Sequence, residues 1–216
     1  MLYIFLYCLF ILSLLKILKM KKFRDHLKES KELKKYFNYI INSHSKVNQL
    51  YDVHPYSYHL IMATEFGCKY LSLLKDENEI NVIASILSHD LIEDTRQTFN
   101  DVKNNTNEFI ANISFILTNE KGKTRKERAN LKYYNDIKNN DVATFVKICD
   151  RFANINFSKI KQKRLNNIFW KLYYKIERVK LDSMLDMYKK EHAHFKKMLY
   201  NEKFKLMFDE IDELLK

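Results

Sequence analysis

A chain of 216 residues can bury one sizeable core and is short for two. Its 38 Lys and Arg against 27 Asp and Glu leave a net charge of +11, which suits nucleotides, nucleic acid or an anionic membrane surface without choosing among them. Two glycines (Gly67, Gly122), one proline (Pro55) and three scattered cysteines (Cys8, Cys68, Cys149) argue against a sheet-rich fold and a disulfide framework, so an all-α protein of a reducing compartment, the cytoplasm, is expected.

Residues 1–15 carry no charge and one serine, and Lys16, Lys19, Lys21, Lys22 and Arg24 follow. Such a run is short of the ~20 residues a membrane span needs. Two readings of residues 1–19 stay open: a membrane anchor with its basic flank on the cytoplasmic side, or a mis-assigned start to a chain that begins at Met20. Phe23, Leu27, Leu33, Phe37, Ile40 and Ile41 recur at helical spacing and predict one amphipathic helix over 23–42. Asn42 to Pro55 reads as a loop. Ser57 to Leu74 and Ile80 to Ile92 read as buried helices, separated by a turn at Asp76 to Glu79. Thr98 is an N-cap with Asp101 at the third helical position. A short helix follows over 107–118, then a basic turn at 119–126 around Gly122. Residues 127–138 are helical and end at Asn139-Asn140, and Asp141 to Phe157 is a further apolar helix. A long helical stretch spans Leu165 to Met198, and Glu202 to Leu215 closes the chain. No repeat or linker divides it. One helical domain over 20–216 is expected, with its motifs in about 44–158 and a C-terminal helical extension over 165–216.

The chemistry sits in Ala84-Ser-Ile-Leu-Ser-His-Asp-Leu-Ile-Glu-Asp-Thr95, where an apolar run ends on His89 and Asp90. A catalytic divalent ion needs a few protein ligands and an open position. His59 starts the preceding apolar helix, and Asp150 lies within Val146-Lys-Ile-Cys-Asp-Arg-Phe-Ala-Asn154. Unpaired Asp or His is costly to bury in such helices, so a shared cation is a natural partner for the four. Two nitrogens and two hard oxygens suit manganese, iron or another first-row ion better than a thiolate zinc site does. Glu93 and Asp94 follow His89 and Asp90 by four residues each, on the same helix faces. Carboxylates placed there can orient or deprotonate an attacking water. The bland alternatives are a surface His-Asp dipeptide, a satisfied core His59, an Asp150–Arg151 ion pair, and a solvated helix end at Glu93-Asp94. The basic run Asn119 to Arg128 either steers a phosphate-rich ligand or is a solvated loop. His192 and His194 lie in a charged run and read as exposed, His54 is not required, and His26 and His44 lie in polar segments.

At these residues the chain resembles the HD-domain phosphohydrolases, in particular the hydrolase domain of the RelA/SpoT family and its small stand-alone relatives. Gln49 to Leu60, QLYDVHPYSYHL, is similar to the family segment ending in PYxxHP, which implies His59 rather than His54 as the first ligand. HDLIEDT at 89–95 is close to HDxxEDT, and Thr98 to Val102 with the helix after it matches the next region. Val146 to Asn154 is similar to KLADRxxN. The resemblance implies an HD-domain helical bundle with His59, His89, Asp90 and Asp150 around one divalent metal, usually manganese. It implies Glu93 and Asp94 as the pair that handles the nucleophilic water, and Asn154 and Lys147 as contacts to the nucleotide. The implied reaction removes the 3′-pyrophosphate of guanosine tetra- or pentaphosphate. Two positions depart from the pattern: Leu60 replaces the usual proline, and Leu50-Tyr51 stand where many members carry a basic pair near the guanine. The chain is too short for the family's synthetase domain, so synthesis is not expected.

The expected function is therefore a metal-dependent phosphohydrolase of an alarmone-like nucleotide. Two alternatives stay open: an HD hydrolase of another nucleotide or phosphomonoester, and a basic module that binds nucleic acid or membrane with a degenerate site. Nucleic acid is not the expected partner, and membrane contact is expected only through residues 1–19. The sequence fixes no oligomeric state.

Overall fold

The computed structural model describes residues 22–119, 122–165 and 175–216. The apolar segment 1–19 and the 166–174 part of the long C-terminal stretch lie outside the described residues. Among those described, no helix is long and apolar enough to cross a membrane.

The first helix of the sequence reading is two helices, α1 (Phe23–Glu29) and α2 (Lys31–Lys46). Ser30 divides them. Its backbone is extended, its N–H donates to His26 O at 3.0 Å, and its Oγ accepts from Leu33 N at 3.0 Å. One serine thus ends one helix and caps the next. The expected loop after Asn42 is shorter, because α2 runs on to Lys46. It then forms a small hairpin, with β1 (Leu50–Tyr51) antiparallel to β2 (His54–Pro55) and Tyr51 opposite His54. Asn48, in the turn between α2 and β1, and Asp52, in the hairpin turn, take positive φ values of 54° and 57°. Asn and Asp tolerate that region best after glycine, which is how a hairpin forms in a glycine-poor chain.

Helix α3 (Ser57–Cys68) stops short of Leu74, and Leu71–Leu74 tightens into a 3-10 turn. Helix α4 (Glu79–Ser88) ends before His89, and α5 (Leu91–Asp94) restarts after Asp90. The expected single helix over 80–92 is therefore broken at the His-Asp pair, with Asp90 at φ −101° and ψ 5°. Helix α6 (Phe99–Asn105) carries the expected reciprocal cap between Thr98 and Asp101. Helix α7 (Glu108–Leu117) begins at the Asn107 cap, and α9 (Leu131–Lys138) at the Asn130 cap, with the one-turn α8 (Arg125–Arg128) between them. Helices α10 (Asp141–Leu165), α11 (Lys175–Leu199) and α12 (Lys205–Leu215) complete the bundle.

Helix α10 is the hub: α3, α4, α7, α9, α11 and α12 all pack on it. Phe66, Phe145, Phe195, Phe204 and Phe208 are fully buried, and one apolar cluster runs from Phe23 to Ile211. The all-α expectation holds, the two-residue strands apart. His192, expected to be exposed, is buried; its ring lies against Phe195 and Phe208, and its Nε2 is 3.1 Å from Asp212 Oδ1. His26 and His44 are also buried despite their polar sequence neighbours.

Gly67 lets α3 approach α4 and α10. A Cβ at this position would sit 2.4 Å from Ile86 Cδ1 and 3.1 Å from Cys149 Sγ. Gly67→Val overpacks that contact and is expected to lower stability by about 1–3 kcal/mol. The check is a lower urea midpoint with an unchanged m value.

Candidate metal centre

Three elements converge at the break between α4 and α5. His59 is the third residue of α3, His89 is the C-cap just after α4, and Asp150 lies in the middle of α10. One ligand atom from each lies within 4.8 Å of the others. The two Nε2 atoms are 3.2 Å apart. Asp150 Oδ1 is 3.4 Å from His59 Nε2 and 3.7 Å from His89 Nε2. Asp90 sits at the edge of the group, its Oδ2 2.9 Å from His89 Nε2 and 3.9 Å from His59 Nε2.

Local bonds aim these atoms. His89 Nδ1 is 2.7 Å from the carbonyl oxygen of Ile86. A carbonyl only accepts, so Nδ1 carries the proton and Nε2 offers its lone pair to the pocket in the neutral ring. The Tyr56 hydroxyl donates to Asp90 Oδ2. Lys147 Nζ is 2.9 Å from Asp150 Oδ2, and Asn154 Nδ2 donates to Asp150 Oδ1 at 2.7 Å. His59 Nδ1 is buried and has no hydrogen-bond partner among the described residues. Outer partners of this kind orient metal ligands.

The donors fit a divalent cation. Two imidazole nitrogens face each other beside two carboxylates that are mostly withdrawn from water, with side-chain exposures of 18% for Asp90 and 13% for Asp150. Such a pocket needs positive charge between the donors. In the protein without metal, a proton fills that need. Burial alone would lower the His89 pKa, but Asp90 and Asp150 outweigh it and hold the ring well above its usual value. Burial likewise pushes both carboxylates up, yet His89 beside Asp90 and Lys147 beside Asp150 hold them below the usual range. The pH dependence follows in sign. His89 contributes stability that is fully present below the ordinary histidine value of 6.5 and is lost as pH rises through its raised folded value. The two aspartates contribute stability that is present above 3.8 and is lost as pH falls through their lowered values. A metal must expel the His89 proton. Thermal shift by manganese is therefore expected to grow as pH rises through the raised His89 value, read in a pH series with and without the ion.

Glu93 and Asp94 lie on α5, exposed and one turn past the cluster. Asn119 holds the Glu93 carboxylate through its backbone N–H at 3.3 Å and its Nδ2 at 2.7 and 2.9 Å. Gln49 Nε2 donates to Asp94 Oδ2 at 2.6 Å. Partial desolvation and then the nearby Asp90 charge raise the Asp94 pKa. Lys147 and Asn154, expected to meet a nucleotide, are both bonded to Asp150, and Asn154 Oδ1 also accepts from the Tyr51 hydroxyl at 2.9 Å. Arg151 turns away from Asp150 and pairs with Glu191 at 3.0 Å. His54 stacks on Tyr58 at 4.6 Å.

A polar cavity of about 330 Å³ opens from Asp150, and Glu93, Arg128, Lys147, Arg151 and Asn154 are among the residues that line it. Three of its lining side chains are cationic and two, Glu93 and Asp150, are anionic, which leaves the wall next to the cluster net positive. A larger cavity, about 580 Å³, lies against Met62, Phe66 and Phe152 and contains none of the clustered groups. It is mostly apolar and offers no convergent chemistry.

No family model and no curated protein matches the chain. Among solved structures, a metazoan ortholog of SpoT, described as hydrolyzing ppGpp and playing a role in starvation responses, is similar at 22% identity. The alignment covers 85% of this chain and 95% of that one, with a TM-score of 0.56. The chain has the fold of that SpoT ortholog. The resemblance seen in four short sequence stretches is thus matched, at the level of fold, over most of both chains.

Sequence reasoning gave Tyr56, Gln49 and Asn119 no role at the site, and named Tyr51 only as a departure from the family pattern. Tyr56 carried a signal, since it lies in the Pro55-Tyr56 step three residues before His59. Asn119 carried none; only the folding of α7 back over α5 brings it to Glu93.

Proposed function

We propose that the chain is a metal-dependent phosphohydrolase that removes the 3′-pyrophosphate from guanosine tetra- or pentaphosphate-like nucleotides. The observation that carries this reading is the convergence of His59, His89 and Asp150 from three helical segments, with Asp90 at the edge, beside a polar cavity that Arg128, Lys147 and Arg151 help to line. The shared fold with the SpoT ortholog supports it.

His59, His89, Asp90 and Asp150 would hold one divalent ion, and we assign manganese. When bound, the ion would polarise a phosphoryl oxygen and lower the pKa of a water. Asn119 and Gln49 hold Glu93 and Asp94 in fixed directions, so these carboxylates can accept the proton of an attacking water. The water oxygen bonds to the phosphorus on the 3′ oxygen, that P–O bond breaks, and the 3′ oxygen takes up a proton. Arg128 and Lys147 stand in the cavity wall where the pyrophosphate charge would lie. Asn154 and Lys147 act on the nucleotide through that wall, while their bonds to Asp150 keep the ligand set in place.

A second reading, a nucleotide with a different base, has one observation in its favour. Leu50 is 63% exposed on the hairpin beside the site, where a basic residue would grip guanine. A substrate panel with manganese and product identification tests both. Conversion of guanosine tetraphosphate to GDP and pyrophosphate is the expected result. Hydrolysis of other nucleotides alone would overturn the guanosine assignment. Absence of all hydrolysis, with salt-sensitive binding to DNA, would favour a binding module.

Glu93→Gln is expected to lower turnover about 10- to 100-fold while manganese retention stays near wild type. Parallel titrations of metal and activity check this, and equal losses would make Glu93 a ligand.

A further inference from the structure

We infer that His44 and Gln49 are a positioning pair that fixes Asp94 for its part in catalysis, an inference that rests on the hydrolase reading. His44 lies in the last turn of α2 and is 2% exposed. Its Nδ1 is 2.5 Å from Gln49 Oε1, and Gln49 Nε2 is 2.6 Å from Asp94 Oδ2. An ionised carboxylate only accepts, so the Gln49 amide turns its NH₂ to Asp94 and its oxygen to His44. His44 must then donate from Nδ1. Its Nε2 is buried and has no hydrogen-bond partner among the described residues, as a bare lone pair requires least. Burial lowers the His44 pKa and keeps the ring neutral.

The backbone delivers Gln49 to this spot. Gln49 N–H donates to His44 O at 3.2 Å, and the preceding Asn48 holds a positive φ of 54°. A strained residue of this kind persists only where its surroundings enforce it. The same His44 ring stacks on Tyr56, with centroids 4.8 Å apart and planes 20° from parallel. Tyr56 in turn donates to Asp90. The imidazole therefore reaches Asp94 by hydrogen bonds through Gln49, while toward Asp90 it is only a ring packed on Tyr56. Asp94 is exposed on a one-turn helix and would otherwise sample several rotamers.

Gln49→Met keeps the side-chain length and loses both hydrogen bonds. It is expected to lower kcat about 10- to 100-fold with KM changed less than about threefold. The thermal shift by manganese should stay at the wild-type size, because Asp94 is not a ligand. His44→Phe keeps the stack on Tyr56 but loses the donor, and should behave like Gln49→Met. His44→Asn loses the ring but places an amide donor near Nδ1, and should recover most of the kcat. A merely structural role predicts the opposite order, with Phe tolerated and Asn not. Nitrogen NMR of the metal-free protein adds a readout independent of turnover: His44 should be the Nδ1–H tautomer in wild type and lose that fixed form in Gln49→Met. Wild-type kcat in Gln49→Met, or loss of the manganese shift along with kcat, would overturn the pair. So would an Nε2–H tautomer in wild type. If the wild-type protein hydrolyses no alarmone, the hydrolase reading falls and the tautomer result alone decides the pair.

Discussion

Asp90→Asn is expected to cut turnover on the order of 10³-fold and to remove the thermal stabilisation by manganese, while helical content stays at the wild-type level. The substitution keeps the shape of the side chain and its acceptor for the Tyr56 hydroxyl. It removes one of the two carboxylates proposed as ligands, the one whose Oδ2 lies 2.9 Å from His89 Nε2. A Lewis-acid ion contributes several kcal/mol to the transition state, and each ~1.4 kcal/mol is tenfold in rate. The fold should survive because Asp90 sits at a helix break and not in the apolar cluster. His89→Ala should show the same pairing of losses. Steady-state rates and melting curves with and without manganese check both variants, and wild-type turnover in either would refute the ligand assignment.

Lys147→Met separates the protein scaffold from the metal site. Lys147 and Asp150 form a pair only 19% and 13% exposed, and Asp150 holds the Lys147 pKa well above its usual value against the burial that lowers it. Removing one partner of such a pair leaves an uncompensated charge, at a cost of about 3–5 kcal/mol. The metal-free variant should therefore be destabilised by an amount of that order in urea melts. Manganese should then stabilise the variant more than it stabilises wild type, because the ion replaces the missing positive charge. That response is opposite in sign to the one expected for Asp90→Asn. A variant as stable as wild type without metal would mean that the Lys147–Asp150 contact contributes little.

The bundle was legible in the sequence because helical periodicity and the lack of turn residues act over long windows. What was missed depends on single residues. Ser30 splits a periodic run because its hydroxyl can serve as a cap, and nothing in the surrounding pattern marks which serine will do so. The hairpin was hidden because Asp52 does the work usually left to glycine in its turn. The break at His89-Asp90 falls where helical spacing carries one helix through to Ile92, and it coincides with the meeting with α3 and α10. The metal-binding candidates stood out because charge inside apolar helices demands a partner. The outer residues did not, since Gln49 and Asn119 lie in polar stretches where any amide is unremarkable until the chain folds. His192 misled for a related reason: its charged neighbours point to solvent while its own face of α11 meets Phe208.

The most direct test is anomalous diffraction from crystals of the full chain soaked in manganese. One strong manganese peak bonded to His59 Nε2, His89 Nε2, Asp90 and Asp150 is the predicted result. A pocket that stays closed on its own His–Asp hydrogen bonds, with manganese bound elsewhere or nowhere, would contradict the account.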